Sequence, residues 1–473
     1  MRIRRSVYEI EGDPDDDTLT WYGKAIGVLK SRPITAHDSW RFQAAIHDFD
    51  KKLDPLAQPG ETLPPDVEQA RYWSQCQHGS WFFIPWHRMY LHHFEQIIAA
   101  AVVSLGGPED WALPYWNYSK DMPSRLLPPS FRTPSGGPSN LFVAQRTAAA
   151  NAGQTIADEA DVDIDGCLTT TPFTGAPFGN PGFGGGQTGF SHGGMRPGRL
   201  EIIPHGSIHN AVGGPGGFMS AFNTAGLDPI FWLHHCNIDR LWEVWRARDA
   251  GNADPANAQW LSGVSFRFRA VDGMDVSMTC GQMVDTTAAP LYYKYDDISD
   301  PIEEGFGIGV GVGVGAIAGT PELIGASDEP VDVDPAGGAA RCVVRAPRGT
   351  PGTEAFGIGS APERIYLHLE HLTCAGFANA LDVYLGIAEG ANPEDSPRRR
   401  IARIPLFGIR EASEASGSHG GEGLTFMIEV TQAFEALDDD GDGDFRDVPI
   451  TLHPVGEQGE HHVRVGRISL YAE

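Results

Sequence analysis

His205 and His209 stand four residues apart in Ile203-Pro-His-Gly-Ser-Ile-His-Asn. On a helix such a pair projects from one face, one turn apart, and grips a single metal ion. Pro204 lies just before them, where a helix start tolerates proline. The run Asp228-Pro-Ile-Phe-Trp-Leu-His-His-Cys-Asn-Ile-Asp-Arg-Leu-Trp sets His235 and Asp239 four apart, with Asn237 between them. A carboxylate so placed suits outer support of a metal-binding histidine. Upstream, His78 and His87 bracket Gly-Ser-Trp-Phe-Phe-Ile-Pro-Trp, and His47 closes Trp40-Arg-Phe-Gln-Ala-Ala-Ile-His. Two sets of three result: His47, His78, His87 and His205, His209, His235. Neutral imidazole suits copper, zinc, iron and nickel. Three imidazoles without thiolate or carboxylate leave positions open for an exogenous ligand.

Helices must carry these groups. Residues 39–48, 85–103 and 229–248 place apolar side chains three and four apart, the helical period. Gly/Pro loops join them, the longest at 123–200. Histidine sets on facing helices describe a dinuclear site inside a four-helix bundle. The composition agrees with this division. The chain has 473 residues, long enough for at least two cores. All eleven tryptophans occur by Trp260, and residues 301–340 then become rich in Gly, Ala, Pro and acid. Beyond them, runs such as Arg364-Ile-Tyr-Leu-His-Leu-Glu and Thr425-Phe-Met-Ile-Glu-Val alternate with period two. The expectation is a multidomain chain: a mainly α catalytic domain at 1–300, a flexible linker at 301–340, and a C-terminal β-sandwich at 341–473.

Charge and composition exclude several functions. There are 35 basic and 62 acidic residues, a formal net charge of −27, which argues against nucleic acid as a partner. No stretch offers the roughly 20 apolar residues of a membrane span. The basic start Met1-Arg-Ile-Arg-Arg has no apolar region behind it, so no secretory signal is expected. The six cysteines are dispersed, which suits reduced thiols and a cytoplasmic location. The acidic run from Asp438 partly matches a calcium loop. Its twelfth position is Pro449 instead of Glu, so a solvated turn is expected.

Cys76-Gln-His-Gly-Ser-Trp-Phe-Phe-Ile-Pro-Trp-His-Arg-Met-Tyr-Leu and the Asp228 run resemble the two copper signatures of type 3 copper proteins, the family of tyrosinases, catechol oxidases and hemocyanins. Ala112-Leu-Pro-Tyr-Trp-Asn resembles the segment between the signatures, and Tyr293-Lys-Tyr the motif closing the catalytic domain. The resemblance covers most of residues 20–300. It implies two copper ions, one on His47, His78 and His87 and one on His205, His209 and His235, with O2 as co-substrate. His234 would line the substrate pocket, and Cys76 would form a thioether to His78.

The same resemblance gives Glu201 the role of orienting a water that accepts the phenolic proton. Read by type alone, Glu201 is a carboxylate favourable to a helix start. Phe222 matches an aromatic gate above one copper; by type alone it is core. Gly206 after His205 and Ile202 after Glu201 stand where efficient monophenol hydroxylases often carry Asn, so weak monophenol activity is implied. Asn210, which follows His209, is not equivalent; it and Met219 complete the expected pocket. Residues 341–473 resemble, more weakly, the domain that covers the site in latent phenol oxidases. The implied enzyme oxidises small neutral o-diphenols to o-quinones with its own C-terminal domain as cover. An o-aminophenol oxidase and a hemocyanin-like oxygen carrier are the alternatives.

Overall fold

The protein is described by a computed structural model over residues 1–49, 60–132, 139–190, 196–302, 321–335, 338–345, 364–415, 420–439 and 447–473. The candidate calcium run at 438–449 lies largely outside them.

The helical part is built around α1 (Thr18–Lys30), α2 (Trp40–His47), α3 (Phe83–Ser104), α4 (Ser207–Gly213), α5 (Phe222–Ala225) and α6 (Pro229–Arg248). The starts follow from local chemistry. Ser39 accepts the Phe42 N–H ahead of α2, and Asp228 accepts the Ile230 N–H ahead of α6. Pro229 occupies the first turn of α6, where its missing N–H costs nothing. Nearly every residue of α3 from Phe83 to Val102 is buried, so this helix runs through the core instead of along the surface. The expected four-helix bundle is resolved into two long helices, α3 and α6, with histidines added from the much shorter α2 and α4.

Behind the helices, β1 (Arg2–Arg4) pairs in parallel with β2 (Tyr293–Tyr295), closing the chain's first 300 residues on themselves. This explains the Tyr-x-Tyr spacing. Both hydroxyls reach Asp239 Oδ2 at 2.5 Å, and Arg4 and Arg88 flank the same carboxylate. All five groups are buried. Deleting one partner of such a cluster typically costs about 3–5 kcal/mol, because an uncompensated charge stays behind.

The C-terminal part forms one antiparallel sheet of nine strands among the described residues, not the two facing sheets of a sandwich. Its strands are β3 (Glu322–Ser327), β4 (Val331–Val333), β5 (Ala340–Arg345), β6 (Ile365–Thr373), β7 (Ala380–Leu385), β8 (Arg400–Pro405), β9 (Leu424–Glu429), β10 (Asp447–Val455) and β11 (Val463–Ala472). The order is β8-β7-β10-β5-β3-β11-β6-β9, with β4 also on β11. The edge strands β8 and β9 approach each other, so the sheet curls toward a barrel around one core. Period-two alternation marks strands but does not say whether they lie in one sheet or two. The expected linker at 301–340 is also corrected: β3 and β4 fall inside it, their Leu323, Ile324, Val331 and Val333 being enough to pair. Residues 303–320 lie outside the described set. No described helix is long and apolar enough to cross a membrane.

Candidate metal centre

His47 ends α2, His78 lies just ahead of α3, and His87 sits in the second turn of α3. Their ring centroids are 5.2, 5.3 and 5.6 Å apart. His205 sits in a kinked turn, Glu201–Gly206, where Ile203 leaves helical angles; His209 is on α4 and His235 on α6. These rings lie 4.6, 5.2 and 5.5 Å apart. The two sets face each other: His87 stacks on His235 at 4.4 Å and 8°. Five separated segments of sequence thus converge on one buried spot.

Backbone carbonyls orient the rings. Nδ1 of His47 meets Phe222 O at 2.8 Å, that of His87 meets Phe83 O at 2.8 Å, that of His205 meets Glu201 O at 3.1 Å, and that of His209 meets Met219 O at 2.6 Å. A carbonyl only accepts, so each Nδ1 carries the proton and each Nε2 presents a lone pair. The Nε2 atoms of His87 and His205 are buried with no hydrogen-bond partner. His209 Nε2 and His235 Nε2 stand 3.3 Å apart. Metal–nitrogen bonds of about 2.0–2.1 Å at tetrahedral angles put two ligand atoms about 3.3 Å apart. Burial, then neighbouring imidazoles, hold His87, His205 and His235 well below the usual imidazole range, and burial pushes His209 down to about 3. Neutral rings with inward lone pairs need lose no proton to bind a metal. The residues therefore fit a pair of metal ions.

Cys76 Sγ lies within 4.8 Å of ligand nitrogens of His47 and His78. Phe222 stacks on His78 at 4.2 Å and 9°, so the expected gate ring does lie over the first histidine set. Glu201 Oε1 accepts the Gly79 N–H at 2.8 Å, and its Oε2 is buried with no partner. Burial pushes this carboxyl up to about 8, against the pull of the Gly79 and Ser80 N–H groups.

A residue that sequence reasoning did not name completes the site. Phe407, on the turn after β8, stacks on His209 at 4.0 Å and 13°, and lies 5.5 Å from His205 and 4.7 Å from Phe222. Gly408 has φ +77°, and a Cβ there would meet Phe222 Cζ at 2.2 Å, so the turn carrying Phe407 requires glycine. The cavity left beside Phe407 measures about 50 Å³ and is lined in part by His78, Glu201, Ile202, His205 and Phe222. Cavities that take a benzene ring measure about 150 Å³. Pro405 and Gly408 do signal a turn in sequence, but nothing marks Phe407 among 23 phenylalanines.

Of the expected pocket residues, Ile202 and Gly206 line the cavity, and His234, Asn210 and Met219 do not. His234 stays within the second histidine set: its ring lies 4.8 Å from His209, 5.5 Å from His205 and 5.6 Å from Tyr118, with a ring nitrogen within 4.8 Å of ligand nitrogens of His205, His209 and His235. It is fully buried, with no partner on either nitrogen. Asn210 Nδ2 donates instead to Asn379 O of the sheet domain, at 2.7 Å. Met219 serves through its carbonyl on His209, and its side chain is fully buried. Ile202 packs on the sheet domain's core as well as lining the cavity. Gly206 faces Pro405: a Cβ there would lie 3.2 Å from Pro405 Cγ. Among the described residues Asp239 has no hydrogen bond to a histidine. It binds the arginines and tyrosines behind the site, while Asn237 sits by Tyr118.

Comparison with known proteins agrees with this arrangement. The model described as the common central domain of tyrosinase matches residues 37–197 and 179–248, and one described as a domain of unknown function (DUF7868) matches 320–473. Tyrosinase HcTyr1 of Hahella sp. (strain CCB-MM4) is 33% identical over 495 residues, covering 100% of both chains. The chloroplastic polyphenol oxidase of Vitis vinifera is 32% identical over 335 residues, 64% of this chain and 48% of that one, so the chain spans about half the length of that plant enzyme. In fold, latent apple tyrosinase superposes with a TM-score of 0.66 at 21% identity, over 100% of this chain and 97% of the other. Latent aurone synthase does so at 0.61 and 18%, over 100% and 89%. The chain belongs to the tyrosinase and polyphenol oxidase family of type 3 copper proteins, which work with two copper ions and O2.

Proposed function

We propose that this copper oxidase converts o-diphenols to o-quinones, with weak monophenol hydroxylation, and is held latent by its own sheet domain. The observation that carries the reading is Phe407: a planar aromatic ring already lies stacked on His209 between the two histidine sets. A phenol ring fits the same place once Phe407 leaves it.

His47, His78 and His87 would hold one copper, and His205, His209 and His235 the other. The bound copper pair supplies the oxidation of the diphenol by O2. The chain does the rest. Nδ1–carbonyl bonds fix four of the six rings, those of His47, His87, His205 and His209, before any metal arrives. Phe222 and His209 offer flat walls for a ring. Glu201 Oε2, the unpaired oxygen on the cavity, is the acceptor for a phenolic proton, directly or through a water. In the covered state burial keeps that carboxyl protonated; water admitted on opening and the charge of bound metal both lower its pKa. Gly206 and Ile202 offer no side-chain amide at the cavity, in keeping with weak monophenol activity. Cys76 stands in reach of His78 for a thioether that would tether that ligand. No disulfide joins any of the six cysteines, in keeping with the reducing compartment of this reading.

Side-by-side initial rates with catechol, a monophenol and an o-aminophenol test the assignment. Catechol is expected to turn over fastest and the monophenol slowest. An o-aminophenol rate above that of catechol would reassign the substrate class.

A further inference from the structure

We propose that Arg403 is the positioning residue that keeps Phe407 over His209, by tying β8 to Asp158 and Asp161 across the seam between the two domains. The inference rests on the reading that Phe407 blocks the pocket. Arg403 stands four residues before Phe407, and its side chain is 8% exposed. Its Nη1 reaches Asp158 Oδ2 at 2.6 Å and Asp161 Oδ1 at 3.1 Å, both in the helical domain. Its Nε and Nη2 grip Asp382 of the neighbouring strand β7 at 2.7 and 3.0 Å. One guanidinium fork thus serves two domains at once.

Charge bookkeeping makes this contact decisive. Asp382 on one side of the seam and Asp158 and Asp161 on the other converge on Arg403; Arg400 also reaches Asp382, at 3.3 Å, but is more exposed. Without the guanidinium, three carboxylates face each other across the seam and attraction becomes repulsion. A chain of net charge −27 has few cations to replace it. The receiving loop is itself pinned: the Asp158 N–H donates to Asp161 Oδ2 and the Asp161 N–H to Asp158 Oδ1. Neutral contacts then set the end of the strand. Asn379 O accepts from both Asn210 Nδ2 and the Leu406 N–H, and Gly206 lets Pro405 approach.

Arg403 also lies directly opposite Asp382 in the β7–β8 register, so its removal could simply loosen the sheet. The decisive variant is therefore on the other domain: Asp158→Asn with Asp161→Asn leaves Arg403 and Asp382 intact. Full-length, uncut, copper-loaded chains are compared for catechol oxidation and for the rate of azide binding, followed by absorbance. Arg403→Ala and the Asp158/Asp161 double variant are each expected to raise both rates by about tenfold or more. Phe407→Ala, which removes the block itself, is the reference. If Phe407→Ala raises both rates while the double variant stays at the wild-type values, the role of Arg403 is overturned and the blocking role of Phe407 stands. If Phe407→Ala changes neither rate, the blocking reading fails and this inference with it. Should Arg403→Ala not fold, the double variant alone decides.

Discussion

The Phe407 ring lies parallel to the His209 imidazole, 4.0 Å away, although 198 positions and a domain boundary separate them in the chain. Truncating Phe407 to Ala removes the ring and leaves its docking site unfilled, which in a packed core costs about 3–5 kcal/mol. Phe407→Ala in the uncut chain is therefore expected to raise kcat/KM for catechol at least tenfold. In a chain cut between the domains, where the wild-type ring no longer blocks the pocket, the same substitution should change little. Steady-state kinetics on the four samples checks both expectations.

His234 and His235 are adjacent, buried and chemically identical, yet their surroundings differ. His235 Nε2 faces His209 Nε2 at 3.3 Å, whereas His234 stacks beside His205 at 5.5 Å with Tyr118 at 5.6 Å. His235→Ala is expected to bind about one copper per chain and His234→Ala about two. Metal analysis after gel filtration reads this directly, without reference to activity.

Glu201 sets a pH dependence in the metal-free chain. Its carboxyl titrates near 8 when folded, against an ordinary value of 4.5. Below the ordinary value both folded and unfolded chains hold the proton. Between the two values only the folded chain does, so this group's contribution to stability is lost as pH rises toward 8. The loss amounts to roughly 3–5 kcal/mol. Glu201→Gln removes it, so the difference in Tm between variant and wild type should grow in the variant's favour from pH 4.5 to 8. Parallel Tm curves would rule the titration out. The histidines act equally in both chains and cancel in the difference.

Cys76 Sγ lies within 4.8 Å of a ligand nitrogen of His78, the histidine to which a thioether is expected. Thioether formation removes the thiol hydrogen and a ring hydrogen. The peptide containing both residues from the copper-loaded, aerated protein should weigh two hydrogens less than that from protein made without copper. Equal masses would leave Cys76 a free thiol.

Much of the metal centre was legible because its constraints are local. His205 and His209 are one turn apart, so spacing groups them; the choice of His235 over the adjacent His234 comes from the resemblance to the family's copper signature. The orienting partners were not legible: they are backbone carbonyls of Phe83, Glu201, Met219 and Phe222, and a carbonyl leaves no mark on residue type. Asp239 misled for the complementary reason. Its spacing from His235 is right for support, but its charge is claimed by Arg4 and Arg88, which arrive from distant segments. The sheet was legible as strands and not as a single curled layer, since alternation records burial on one face and says nothing of strand order. Phe407 was invisible because its meaning depends on where the second domain docks.

Catechol oxidation by the chain carrying two copper ions, before and after limited proteolysis between the domains, tests the central claim most directly. The account predicts slow quinone formation from the intact chain and a rise of at least tenfold on cleavage, with copper content unchanged. No catechol turnover by either form, with both coppers bound and O2 taken up reversibly, would contradict it and mark an oxygen carrier.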